Sequence, residues 1–295
     1  MSLPSAVLPG PLAGNSHLPR AGHAGTRIVI TGKGGVGKTT LTALLAHLFA
    51  RQGKRVLAVD GDPQQNLATT LGIPPESARK IVPVSESAAY LREKTGAGPE
   101  ITPGGLLTLN PDVSDVIDRF AIPVEPGLRL LVMGGVPQAG SGCLCPEYTL
   151  LAAIFRHMRL LADDIVLLDT PAGLEHFGRS VAEGFSCAVV VADPSYNALS
   201  VARESGALAR QLGIGQVILV INRVGRPEDL DKVRERAGHL DEFSRVVPLP
   251  FASEVVVAEP EVGPLLVTES DFMLAIRSLA ESIPHTSEVQ SSEFP

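Results

Sequence analysis

The sequence predicts an α/β fold with a doubly wound, mostly parallel sheet of about seven strands. Short runs rich in Val, Ile and Leu recur along the 295 residues, and helical patterns lie between them. Because these runs are continuously apolar rather than alternating, they are typical of strands buried on both faces of a parallel sheet. The runs that end at Asp60 and Asp169 each place an aspartate before a loop, which indicates ligand binding beyond the carboxyl ends of the strands.

The predicted strands and helices alternate along the chain, as expected for a doubly wound sheet. The strands are Arg27–Thr31, Arg55–Asp60, Leu128–Met133, Asp164–Asp169, Ala188–Asp193, Gln216–Asn222 and Arg245–Leu249. The helices are Lys38–Gln52, Glu147–Ala162, Asn197–Leu212, Pro227–Leu240 and Glu269–Ser282. We assign these elements to one domain over residues 26–283.

Four segments do not show this alternation of strands and helices. Residues 1–25 and 284–295 are polar and irregular, and we expect them to be disordered tails. The stretch 74–127 has many Pro and Gly residues and is too long for a plain connector, so it is predicted to be an insertion with short helices. The glycine-containing loop 140–147 carries two of the three cysteines.

The amino-acid composition argues against several classes of protein. The formal net charge is −7 and the isoelectric point is near 5.5, which argues against a nucleic-acid-binding surface. No run reaches the roughly 18 apolar residues of a membrane span, and the start of the chain lacks the pattern of a secretory signal. Three cysteines are too few for a disulfide framework. We therefore expect a cytoplasmic protein that binds neither nucleic acid nor membrane.

Residues 32–40, GKGGVGKTT, match the pattern G-x-x-x-x-G-K-[ST] between the first strand and the first helix. Such a loop binds a nucleotide phosphate with its backbone N–H groups and the positive end of the helix. We expect Lys38 to hold the phosphates during catalysis, and Thr39 to offer its hydroxyl to Mg²⁺. The sequence thus predicts a P-loop NTPase that binds ATP or ADP. The expected nucleotide-binding residues are Gly32, Gly34, Gly35, Val36, Gly37, Lys38, Thr39, Thr40 and Asn222.

Two aspartates are candidates for the chemistry. Asp169 ends an apolar strand and is predicted to serve Mg²⁺, unless it only caps the following turn. Asp62 lies in the loop after the second strand and is a candidate catalytic residue that orients or activates the attacking water. Its alternative is an Asx turn beside Pro63.

Lys33 and Asn222 have less usual roles. Lys38 already serves the phosphates of its own site, so Lys33 is predicted to reach a second subunit and neutralise transition-state charge there, as an arginine finger does. The alternative is a solvated lysine. Asn222 could read the adenine edge with its side-chain amide, although asparagine also simply ends strands.

Cys143 and Cys145 form a C-x-C pair in the loop 140–147, just before a predicted helix. Thiolates select Zn²⁺, Ni²⁺, Cu⁺ or an iron–sulfur cluster, and two copies on a two-fold axis would supply four ligands. A redox-active dithiol and a pair of small buried residues are the alternatives. Cys187 lies in an apolar strand and is expected in the core. His176, in the loop after Asp169, could respond to nucleotide or only hydrogen-bond locally.

The segments KGGVGKTT, VDGDPQQN and LLDTPAG together resemble the deviant Walker A ATPases. This group includes the nitrogenase iron protein, MinD-type division regulators, ParA-type partition proteins and arsenite-pump ATPases. The resemblance implies a dimer that sandwiches ATP, with Lys33 reaching across it. It also implies that Asp62 acts on the water, Asp169 serves Mg²⁺ and Asn222 contacts the base.

The segment GSGCLCPE, with LNPDVSD and LLVMG before it and DTPAGLEHFGR after it, resembles the CooC-type carbon monoxide dehydrogenase accessory proteins. That family implies a dimeric ATPase that helps to insert nickel into its client, with Cys143 and Cys145 binding Ni²⁺ or Zn²⁺ between subunits. A MinD- or ParA-like positioning ATPase on membrane or DNA is the alternative function. An electron-transfer iron protein is a third.

Overall fold

The computed structural model describes residues 25–95, 113, 115–134, 151–156, 158, 160–173, 181–238 and 240–283. Within these ranges eight strands form a single sheet. They are β1 (Thr26–Gly32), β2 (Arg55–Asp60), β3 (Ile122–Glu125), β4 (Leu128–Val132), β5 (Asp164–Asp169), β6 (Cys187–Ala192), β7 (Gln216–Val224) and β8 (Arg245–Pro250). Their order across the sheet is β3-β4-β2-β5-β1-β6-β7-β8.

The predicted architecture is confirmed, with one strand more than the sequence indicated. Six of the seven neighbouring pairs are parallel, and only β3 runs antiparallel to its neighbour β4. The additional strand is β3, which lies inside the predicted insertion. It was missed because its sequence, Ile-Pro-Val-Glu, is short, contains a proline and is only partly buried, as is typical of an edge strand.

The helices lie between the strands at most of the predicted places. They are α1 (Lys38–Arg51), α2 (Leu67–Thr70), α3 (Pro75–Ala78), α4 (Ala88–Thr95), α5 (Val116–Phe120), α6 (Tyr196–Gln211), α7 (Pro227–Ala237), α8 (Ser253–Ala258) and α9 (Asp271–Ser282). Residues 151–156 are also helical, but the chain is irregular at 160–161, so the predicted helix end at Ala162 is too late. Helix α7 ends three residues before the predicted Leu240, where Gly238 takes a positive φ of 62°.

The strand register brings the predicted site loops together. Asp169 at the end of β5 lies beside Ile30 of β1 on one side and beside Asp60 of β2 on the other. The carboxyl ends of these three strands therefore meet at one edge of the sheet. All seven residues of β1 are buried, as are ten of the first thirteen residues of α1 after Lys38, so the loop between them stands on rigid elements.

Several segment predictions fall outside the described residues. These are the tail 1–24, the tail 284–295 and the whole loop 140–147. In the part of the stretch 74–127 that the structure describes, the short helices are α3, α4, α5 and a 3₁₀ turn at Val84–Glu86. None of the helices in the described ranges is long and apolar enough to cross a bilayer.

Candidate functional site

The phosphate loop joins β1 to α1 and has a backbone that only glycine can adopt at two positions. Gly32 has a φ of 143°, and a Cβ there would run into the backbone oxygen of Val191 on β6. Gly37 has a φ of 100°, and its Cβ would lie 2.6 Å from the side-chain nitrogen of Asn222. The loop is therefore held close to β6 and β7, with its N–H groups before the N-terminus of α1.

Lys38 is buried at the base of this loop. Its Nζ donates a hydrogen bond to the backbone oxygen of Lys33 at 3.2 Å, so the ammonium spans the loop from one end to the other. Burial lowers the pKa of Lys38, whereas the carboxylates of Asp169 and Asp62 act in the opposite direction. Phosphate binding by this cation stays a prediction, and its place inside the loop is consistent with that role.

Thr39 and Asp169 form the corner where a magnesium ion would bind. The hydroxyl of Thr39 donates to Oδ2 of Asp169 at 2.6 Å. The other carboxylate oxygen, Oδ1, is buried without a hydrogen-bond partner among the described residues. Burial raises the pKa of Asp169 to about 7, against the opposing effects of Thr39 and Lys38. A hydroxyl and a carboxylate with an unused oxygen are the donors that Mg²⁺ prefers, so the residues fit this ion. When bound, the cation would neutralise phosphate charge.

Asp60 is a site residue that the sequence analysis passed over. It is fully buried, and its two carboxylate oxygens accept the backbone N–H groups of Asp62 at 3.1 Å and Leu67 at 3.0 Å. Burial and the neighbouring Asp169 raise its pKa to about 8. Asp60 thus fixes both ends of the loop that carries Asp62. The sequence shows that Asp60 ends a buried strand, but the N–H groups that it holds are fixed only by the folded loop.

Asp62 lies half-exposed in that loop. Its Oδ1 accepts the backbone N–H of Gln64 at 2.9 Å, so the Asx turn considered as its alternative role is formed here. Asp62 also lies near enough to influence the charges of Lys38 and Asp169. The turn points one oxygen at the backbone and leaves Oδ2 available, and the role of Asp62 in activating water stays a prediction.

Asn222 lies two residues before the end of β7, which continues beyond the predicted strand end, and it contacts the phosphate loop directly. Its Nδ2 donates to the backbone oxygen of Val36 at 2.8 Å, and its Oδ1 accepts the N–H of Arg223 at 2.9 Å. The amide therefore supports the loop, which the sequence did not predict. A cavity lined by Gly37, Thr40, Asn222, Arg223 and Phe251 opens beside it, so base recognition by Asn222 stays a prediction.

The remaining predicted residues divide by their placement. Lys33 is exposed, and its ammonium pairs with no carboxylate in the described ranges. Cys187 is fully buried in β6 and burial raises its thiol pKa, so it belongs to the core as predicted. Cys143, Cys145 and His176 lie outside the described residues. Within the described ranges no three His, Cys, Asp or Glu side chains gather as a metal site.

Comparison with known proteins agrees with this geometry. The profile of the CobQ/CobB/MinD/ParA nucleotide binding domain matches residues 28–261. The carbon monoxide dehydrogenase accessory protein CooC of Rhodospirillum rubrum is 39% identical over 233 residues, which cover 79% of this chain and 86% of that protein. An uncharacterized ATP-binding protein of Methanocaldococcus jannaschii is 38% identical over 237 residues, covering 79% of this chain and 88% of its own length.

A solved structure shows the same fold at low identity. The septum site-determining protein MinD of Pyrococcus horikoshii, complexed with Mg-ADP, gives a TM-score of 0.62 at 20% identity and covers 91% of this chain and 99% of its own. The family match extends from β1 beyond β8 and so includes every element that bears the phosphate site. The chain therefore belongs to the CobQ/CobB/MinD/ParA nucleotide-binding family, and within it to the CooC-type accessory ATPases.

Proposed function

We propose that this ATPase acts as a homodimer that couples ATP hydrolysis to the insertion of nickel into carbon monoxide dehydrogenase. The observation that carries the proposal is the 39% identity with a protein named for its accessory role to that enzyme, over most of both chains. Relatives at this identity commonly share the fold and its nucleotide chemistry. We infer the client enzyme, the delivered metal and the dimer from this similarity and from Lys33, Cys143 and Cys145.

The exposed position of Lys33 supports a role in a dimer. The buried Lys38 already lies within the phosphate loop, and its bond to the backbone of Lys33 leaves the side chain of Lys33 on the surface. A lysine held at the rim of a phosphate site can place its charge on the nucleotide of a second subunit. Hydrolysis would then require two chains, and loss of the γ-phosphate would release the contact.

The cysteines Cys143 and Cys145 supply the second part of the proposal. Nickel is the substrate delivered to the client, and two thiolates from each subunit would hold Ni²⁺, or Zn²⁺ in its place, between the chains. A site shared in this way forms or changes when the subunits approach. The nucleotide cycle would therefore control metal binding and release.

Metal titration of the dimer tests this proposal. We expect the wild type to bind about one Ni²⁺ or Zn²⁺ per two chains, as four-ligand coordination requires. The variant Cys143→Ala/Cys145→Ala should lose this binding. Cys187→Ala is the matched control, because Cys187 is buried in β6 and should leave binding unchanged. Retention of a full equivalent by the double variant would refute the cysteine site.

The MinD- or ParA-like positioning function predicts a different result. Co-sedimentation of the ATP-bound protein with liposomes or duplex DNA would support it, particularly if the double cysteine variant sediments equally well. We expect no nucleotide-dependent sedimentation with either, because the overall charge is −7.

A further inference from the structure

A cavity of about 420 Å³ opens at the amino ends of β2, β4 and β5. These strands run parallel to one another, and the phosphate loop follows the carboxyl end of β1, so the cavity lies at the opposite end of the sheet. Val56, Leu128 and Ile165 line it where the three strands begin, and Leu160 lies beside them. The volume is within the range of about 300 to 1,000 Å³ that is typical of binding pockets.

The charged groups that line this cavity already have partners. Arg55 pairs with Asp164 at 2.7 Å, and Glu125 contacts His47 at 2.6 Å. The guanidinium of Arg129 donates to two backbone oxygens at 2.9 and 3.2 Å. An occupant of the cavity is therefore held by apolar contacts rather than by ion pairs, which favours an apolar side chain over a charged ligand.

The first described residue of the chain lies at this cavity. Gly25 is buried, and a Cβ there would come within 2.6 Å of Cβ of Leu160 and 2.7 Å of the backbone oxygen of Asp164. Leu160 and Asp164 both line the cavity, and the adjacent Leu161 is 65% exposed. Residues 1–24 therefore join the sheet next to apolar surface that the described residues leave open.

The sequence of residues 1–24 suits this surface. It contains no Asp, Glu or Lys, and its large aliphatic side chains are Leu3, Val7, Leu8, Leu12 and Leu18. Leu18 is the nearest of them to Gly25, and the seven steps between the two residues span at most about 23 Å. The cavity extends from β5 across β2 to β4, which is about 10 Å. Leu18 reaches every part of it, and the shortest link that reaches gives the highest effective concentration.

We propose that residues 18–24 turn back over this cavity and that the side chain of Leu18 docks in it. The contact covers the walls at the starts of β2, β4 and β5 and gives the exposed Leu161 an apolar neighbour. It assigns a packing role to a stretch that composition alone predicts to be disordered. The inference does not rest on nickel, the client or the dimer, and its failure would leave the proposed function untouched.

A single tryptophan tests the docking, because the chain contains none. In the full-length protein we expect Leu18→Trp to emit at shorter wavelength than Leu3→Trp and to be less quenched by acrylamide, since only the former is shielded from water. The two variants are matched, because each leucine precedes a proline. In concentrated urea the two spectra should coincide. The shift should not change on dilution, because the segment docks on its own chain.

Urea unfolding gives a second measurement that does not depend on whether tryptophan fits. Leu18→Ser should raise the equilibrium constant for unfolding by about tenfold, as expected when a buried leucine is lost. Leu3→Ser should leave this constant within about twofold of the wild type, because an exposed leucine contributes little.

A change in the cavity wall completes the test. In the Leu18→Trp background, Leu160→Glu places a carboxylate in the cavity and should move the emission to that of Leu3→Trp. Leu274→Glu is the control, since Leu274 is 52% exposed on α9 and does not line the cavity. Equal emission and quenching of Leu18→Trp and Leu3→Trp in the folded proteins would overturn the proposal. A shift that survives Leu160→Glu in a folded protein, or one that disappears on dilution, would also overturn it.

Discussion

The two lysines of the phosphate loop lie five residues apart and have opposite environments. Lys38 is buried, bonded to the backbone and close to Asp169, whereas Lys33 is exposed together with Gly34 and Gly35. The inner half of the loop thus forms a phosphate site from a single chain. The outer half presents an exposed charge, as the proposed contact with a second chain requires.

The largest effect should follow from removing the outer lysine. We expect Lys33→Ala to lower ATP turnover by at least about 100-fold while changing the Kd for ATP by less than about twofold, since a charge supplied across a dimer acts mainly in the transition state. Steady-state hydrolysis and nucleotide titration measure the two quantities. Lys232→Ala, on the exposed helix α7, is the control for loss of a surface lysine. Turnover at the wild-type rate by Lys33→Ala would refute the role of Lys33 in the site of a second subunit.

In the inner half of the site, the Asp169→Asn substitution should change how strongly ATP binding depends on Mg²⁺. The substitution keeps the shape of the side chain and removes the charge that a cation would meet, so the gain in ATP affinity on adding Mg²⁺ should fall by about tenfold. In the presence of EDTA the variant should bind ATP at least as well as the wild type, because Asp169 repels phosphate charge. Equal Mg²⁺ dependence in both proteins would remove Asp169 from the metal corner.

Stability should depend on pH through the same carboxylate. The pKa of Asp169 is raised to about 7 from an ordinary value of 3.8, so between these values the folded state holds a proton that the unfolded state has lost. The contribution of Asp169 to the free energy of unfolding is therefore greatest below about pH 4 and is lost as the pH rises towards 7. Relative to Asp169→Asn, the wild type should lose on the order of 1 kcal/mol per pH unit in that window.

Urea unfolding of the nucleotide-free proteins at several pH values measures this difference. The comparison between wild type and variant cancels the titration of groups that both share. A constant difference from pH 4 to pH 7 would show that Asp169 has an ordinary pKa and that its buried oxygen has a partner.

The smallest effect should come from Asn222→Ala. This change removes the hydrogen bond to the oxygen of Val36, and it should weaken ATP binding by about three- to tenfold through a less ordered loop. Titration with both ATP and tripolyphosphate separates two roles of the amide. A loss for both ligands indicates loop support, whereas a loss for ATP alone indicates base recognition.

Much of the inner site was predictable because its residues are close in sequence or end buried strands. The pattern from Gly32 to Thr39 and the aspartate that ends the β5 run predict the phosphate and magnesium positions. Register then brings Asp60 and Asp169 side by side, and this pairing was not visible in either strand alone. Asp60 was missed for that reason, since its function is to hold a loop whose position depends on the whole sheet.

The outer half of the phosphate loop and the side of the site next to Asn222 were less predictable from the sequence. The contact of Asn222 with Val36 joins residues 186 positions apart, and no local pattern predicts it. Strand β3 was not predicted for a different reason, because an edge strand with a proline has no continuous apolar run. The C-x-C pair is clear in sequence, and its geometry lies outside the described residues.

ATP hydrolysis by a dimer is proposed to deliver nickel to a client enzyme. The most direct measurement is the activation of nickel-free carbon monoxide dehydrogenase by this protein loaded with Ni²⁺, followed as carbon monoxide oxidation. We predict activation with the wild type and ATP, and little activation with Lys33→Ala, with Cys143→Ala/Cys145→Ala or with a non-hydrolysable ATP analogue. If all of these activated the enzyme equally at equal free Ni²⁺, ATP hydrolysis by the dimer would not drive the delivery of nickel.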